Sequence, residues 1–133
     1  MNIIDEVIIP GDFEKFKSVF ESNKIEKTDL LWLAVEYGNL EQVKYLIENG
    51  VKCDALRHAV KRDDYDLVKF LVENGVSRSS LNDALITSAF TGNYTIINYL
   101  VENGADVNFD KRLRRCCKNT DVLNHFVSLG YRY

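Results

Sequence analysis

The side chains able to do chemistry are few in this chain and poorly grouped. Histidine occurs twice, at His58 and His125, far apart in sequence and without converging acids, so a zinc site is not expected. Cysteine occurs three times, at Cys53, Cys116 and Cys117. Adjacent cysteines cannot reproduce the Cys-x-x-Cys geometry of a redox pair, and an odd count is unlike a secreted disulfide framework. A reducing compartment follows as the expectation. The triplet Glu-Asn-Gly recurs at Glu48–Gly50, Glu73–Gly75 and Glu102–Gly104. A catalytic carboxylate is needed once, whereas a helix end is needed in every copy of a repeat. No Gly-x-Gly-x-x-Gly, phosphate loop, Gly-x-Ser-x-Gly elbow or His-Glu-x-x-His occurs. Neither an enzyme nor a bound cofactor is expected.

Charge could still bind. Lys111, Arg112, Arg114, Arg115 and Lys118 form a basic run, and on a helix starting near Lys111 the residues Lys111, Arg114, Arg115 and Lys118 share one face. Arginine offers a two-pronged donor to phosphate or to an acidic surface. The competing expectation is a solvated face closing the end of the molecule. Asp63, Asp64 and Asp66 set an acidic cluster against it. Over the whole chain 17 basic residues meet 20 acidic ones, a net charge of −3, so nucleic acid is not the expected partner.

The elements that position these residues are repeats. Val43-Lys-Tyr-Leu-Ile-Glu-Asn-Gly50, Val68-Lys-Phe-Leu-Val-Glu-Asn-Gly75 and Ile97-Asn-Tyr-Leu-Val-Glu-Asn-Gly104 are near-copies, and Leu123-Asn-His-Phe-Val-Ser-Leu-Gly130 is a weaker fourth. Their glycines stand 25, 29 and 26 residues apart, a spacing that marks stacked helical units. Leu40, Val43, Leu46 and Ile47 fall on one helical face, and Gly50 stands where a positive φ ends a helix. Asp29 is placed to cap the preceding helix, Asp54 stands before the next, and Ser79 or Ser80 before the one after. The units run over about 28–50, 54–75 and 80–104. A half repeat at about 10–24 precedes them, and a closing repeat at about 109–130 pairs helices near Asp110–Lys118 and Thr120–Leu129. A single all-α domain over 1–133 is expected, a solenoid of antiparallel helix pairs.

Asp29-Leu-Leu-Trp-Leu-Ala-Val-Glu-Tyr-Gly-Asn39 and Ile96-Ile-Asn-Tyr-Leu-Val-Glu-Asn-Gly-Ala-Asp-Val-Asn108 resemble the two helical phrases of the ankyrin repeat. The likeness covers nearly the whole chain, but the family's Thr-Pro-Leu-His opening is in no repeat. The periods also fall short of the family's roughly 33 residues. The missing length lies in the loops that normally project as hairpin fingers, so clipped fingers are expected. The repeats are similar to those carried by large DNA viruses of amoebae.

The resemblance implies a protein-binding module that uses its first helices. The family's exposed positions before the mid-repeat turn correspond to Glu36, Tyr37, Lys61, Arg62, Phe90 and Thr91. Trp32 takes the family's histidine position and is expected to pack at the helix start. Cys116 and Cys117 align with Ala59 and Val60 and are expected in the core. The alternative function is binding of a charged ligand or nucleic acid through residues 111–118. The N-terminal stretch lacks a basic leader, and no apolar run approaches the roughly 18 residues of a membrane span. A cytoplasmic monomer is expected, possible location a host cell, with an unidentified protein as partner, no membrane association, and stacking through the end repeats as the other assembly.

Overall fold

The computed structural model describes residues 2–52 and 55–132, and every regular element within them is helical. The expectations for Cys53 and Asp54 lie outside the described residues. The chain divides into two compact units, Met1–His58 and Ala59–Tyr133.

The first unit opens with a five-residue turn, Ile4–Ile8, wound wider than an α-helix, with the Ile9 N–H donating to the Ile4 carbonyl at 2.8 Å. Three helices follow: α1 (Phe13–Ser22), α2 (Lys27–Tyr37) and α3 (Leu40–Glu48). A fourth, α4 (Leu56–Lys61), runs across the division. The opening turn, which no sequence pattern announced, packs on both α1 and α2. It buries Val7 and Ile8 and receives the amide of fully buried Gln42, whose Nε2 donates to the Ile8 carbonyl at 3.1 Å. Phe13, Phe16 and Phe20 of α1 meet Tyr45 of α3 edge-on, with ring centroids 5.3–6.3 Å apart.

The second unit holds α5 (Tyr65–Glu73), α6 (Arg78–Thr91), α7 (Tyr94–Glu102), α8 (Leu113–Cys116) and α9 (Thr120–Ser128). Here α6 packs on α7 and α8, and α7 on α5. Tyr99 repeats the role of Tyr45, meeting Tyr65 edge-on at 5.6 Å. Burial and the neighbouring Glu73 carboxylate push its phenol up from the ordinary tyrosine value. Leu46 in the first unit, and Ile97 and Leu100 in the second, are fully buried, each contributing about 1.5–3 kcal/mol of apolar transfer.

Both ends of the second helices are closed by local bonds. Asp12, Asn39, Asp64, Asn93 and Asn119 each accept a backbone N–H from three residues on. At the other end Asn49, Asn74 and Asn103 donate their Nδ2 to the carbonyls of Tyr45, Phe70 and Tyr99 at 2.7–2.8 Å. At Gly104 the backbone turns to φ 108°, and Ala105 N–H returns to the Leu100 carbonyl at 3.0 Å. Val51 and Tyr131 make the same return after Gly50 and Gly130. The recurring triplet is therefore a helix stop. Its glutamates, Glu48, Glu73 and Glu102, are exposed.

Several boundaries differ from the sequence pattern. Asp29 does not cap α2: the helix begins two residues earlier, at Lys27, and Asp29 sits in its first turn. Ser77, not Ser79 or Ser80, caps α6 by accepting the Ser80 N–H. That cap extends α6 to 14 residues and turns most of the loop after Gly75 into helix, so this finger is clipped by conversion. The longer loop between α7 and α8 is held by turns, with Asp106 N–H bound to Asn82 Oδ1 at 2.8 Å. The closing first helix is a single turn, Leu113–Cys116, far shorter than Asp110–Lys118. Cys116 and Cys117 are consequently half-buried rather than core residues, because one turn cannot carry them inward as Ala59 and Val60 are carried. Cys117 donates its Sγ–H to the Leu113 carbonyl at 3.2 Å, and burial raises its thiol above the usual value.

Candidate binding surfaces

In the first unit the exposed side of α2 carries an aromatic group. Trp32 and Glu36 are four residues apart and share a helix face. Between them stands His58, whose Nδ1 lies 3.1 Å from Glu36 Oε1 and whose ring centre is 5.3 Å from that of Trp32. Tyr37, the last residue of α2, is 44% exposed. Trp32 is 46% exposed and does not pack at the helix start, because the earlier beginning of α2 places it mid-helix. From sequence alone Trp32 reads as a packing residue. Its spacing from Glu36 was the signal that could have placed it on the outer face.

In the second unit Lys61 and Arg62 are exposed at the end of α4. Phe90 is 62% exposed near the end of α6. Thr91 beside it is half-buried and bonds its own helix, Oγ1 donating to the Ser88 carbonyl at 3.2 Å, so its polar atom is engaged locally. Phe109, in the loop before α8, is a further exposed aromatic residue that the sequence did not single out.

The basic run is rearranged relative to the single helical face expected of it. Lys111 precedes α8 and Lys118 follows it, so the four residues do not ride on one helix. Lys118 is tied by its backbone N–H to the Ala89 carbonyl at 2.8 Å, and its stem lies beside Gly92. Arg112 is bound to Asp110: its Nη2 is 2.6 Å from Oδ2, and its Nε lies 3.0 and 3.1 Å from the two carboxylate oxygens. Those bonds hold the Asp110 carboxyl below the ordinary aspartate value. Lys111, Arg114 and Arg115 instead line an open cleft of about 470 Å³ together with Tyr131 and Arg132. Arg132 belongs to this group although it lies outside the run.

Among the described residues, no three side chains of the metal-binding types gather closely enough to hold an ion, and no helix is long and apolar enough to cross a membrane. Short helices that recur in pairs along the chain define a helical repeat protein. The family model for ankyrin repeats (3 copies) matches residues 31–111, more than half of the chain. The chain belongs to the ankyrin-repeat family, and its all-α architecture is the ankyrin-like one. Comparison with curated proteins found no matching relative. Ankyrin repeats are generally protein–protein interaction modules and typically non-catalytic.

Proposed function

We propose that this chain is a non-catalytic adaptor that binds another protein through the exposed side chains of its first helices. The observation that carries it is the exposure of Tyr37 and Phe90 at the position before the mid-repeat turn, which the family commonly uses for contact. Aromatic side chains there offer large area for little lost rotamer freedom, and such residues dominate interface energetics. Glu36 in the first unit and Lys61 and Arg62 in the second add exposed charge at the equivalent repeat positions, and Thr91 adds its methyl and the acceptor side of its hydroxyl. Trp32 extends the aromatic area of the first unit. The likeness of the repeats to those of large DNA viruses of amoebae supports a host protein as partner and the cytoplasm as the place of action. The protein works as a monomer.

The test is affinity capture from the producing cell with the native chain and with a Tyr37→Ala/Phe90→Ala double variant. Both rings are exposed, so circular dichroism should report an unchanged fold. Loss of the captured partner, by tenfold or more at about 1.4 kcal/mol per decade, is expected. An unchanged partner set overturns the proposed surface.

A further inference from the structure

Positive charge is concentrated at the end of the chain. Residues 105–133 hold six lysines and arginines against three aspartates, whereas residues 1–104 hold 11 against 17 acids. Within that segment, Lys111, Arg114, Arg115 and Arg132 line one cleft with Tyr131, and among the described residues no carboxylate side chain lines it. The acid nearest in sequence, Asp110, lines an adjoining depression and is engaged by Arg112 in a two-pronged ion pair. That pair directs the Asp110 carboxylate to Arg112, while its charge is also felt by Arg115.

The frame of the cleft is built rather than incidental. The Arg132 N–H donates to Asn108 Oδ1 at 2.9 Å, and Asn108 Nδ2 donates to the Gly130 carbonyl at 3.0 Å. The loop carrying Asn108 is itself fastened through the Asp106–Asn82 bond. Tyr131 is 5% exposed, and its N–H returns to the Phe126 carbonyl at 3.0 Å. Leu113 is buried and seats the single turn that bears Arg114 and Arg115. Two segments remote in sequence thus bring four exposed cations together on a backbone fixed by neutral hydrogen bonds, so that binding an anion need order only their side chains.

We propose that this cleft is a binding site for a phosphate monoester dianion. Its source is either a phosphorylated side chain of a protein partner or a phosphorylated small molecule. Guanidinium forks match the paired oxygens of phosphate, and a compact group of charge −2 suits a short cleft with several donors. An extended polyanion suits it poorly, since the rest of the chain is acidic. The cleft shares no lining residue with Trp32, Tyr37 or Phe90, and its test does not depend on them.

The Nε–Hε resonances of Arg114, Arg115 and Arg132 should be followed by NMR at constant ionic strength. The titrants are inorganic phosphate, chloride, a short phosphoserine peptide, its unphosphorylated form and a ten-residue oligothymidylate. Saturable shifts are expected with phosphate and the phosphopeptide, and none with the unphosphorylated peptide. Tighter binding of the phosphopeptide identifies a partner-borne group, and tighter binding of inorganic phosphate a small molecule. Arg115→Gln and Arg132→Gln should each weaken binding about tenfold with an unchanged melting temperature, while Arg78→Gln, exposed and outside the cleft, should not. Equal shifts with chloride, indifference to both substitutions, or tighter binding of the oligonucleotide would each overturn the site.

Discussion

Asn103 and Gly104 do different work in one turn. The asparagine satisfies a helix carbonyl with its amide, and the glycine supplies a backbone conformation at φ 108° that other residues enter only at a cost. A Cβ at Gly104 would meet no atom within 4 Å, so Gly104→Ala isolates that backbone cost. Chemical denaturation should show a loss of about 1–2 kcal/mol. The Asp110–Arg112 pair makes a separate prediction. Because the folded state holds the Asp110 carboxyl low, its contribution is complete above the ordinary aspartate value and is lost as pH falls through the lowered one. Arg112→Gln should move the carboxyl titration upward, as read by NMR of the Asp110 side chain. An unmoved titration would mean the ion pair does not persist in solution.

Each second helix is closed by an Asn or Asp cap before it and a turn of positive φ after it, which makes short helices usable. Nine residues lie below the length at which an isolated helix is stable, so caps and packing must supply the rest. Asn93→Ala removes the acceptor of the Ile96 N–H and should cost about 1 kcal/mol in thermal or chemical unfolding. Leu46→Ala, at a fully buried position of α3, should cost about 2–5 kcal/mol. The opening turn at Ile4–Ile8 is capped by Asn2, whose Oδ1 accepts the Ile4 and Asp5 N–H groups, and is held to α3 by the side-chain bond from Gln42 as well as by buried Val7 and Ile8. Gln42→Leu should leave the Ile8 carbonyl unpaired and speed amide exchange at residues 4–9 relative to the rest of the first unit.

At the scale of the molecule, what the sequence displayed was whatever repeats. The second helices are bounded closely because Leu40, Val43 and Leu46 and their counterparts share one period and end at Gly50, Gly75 and Gly104. The first helices were harder to bound, because their apolar residues run nearly around the helix and no single cap recurs. Asp29 directly precedes an apolar run and so reads as a cap, while nothing in the apolar pattern marks the Ser77 cap or the extra turn of α6. The exposed aromatic positions Tyr37 and Phe90 followed from alignment with the family, whereas Trp32 required knowing where α2 begins. The cleft could not be seen in the basic run alone, since Arg132 reaches it only through the folded-back segment held by Asn108.

The central claim is that the repeated phrase builds the fold while the exposed face of the first helices binds. Hydrogen–deuterium exchange of the chain, alone and with its captured partner, tests it most directly. Protection is predicted over α2 around Trp32–Tyr37 and over the end of α6 around Phe90, with the Glu-Asn-Gly turns at residues 48–50, 73–75 and 102–104 unchanged. Protection centred on those turns, with α2 and α6 unaffected, would contradict it.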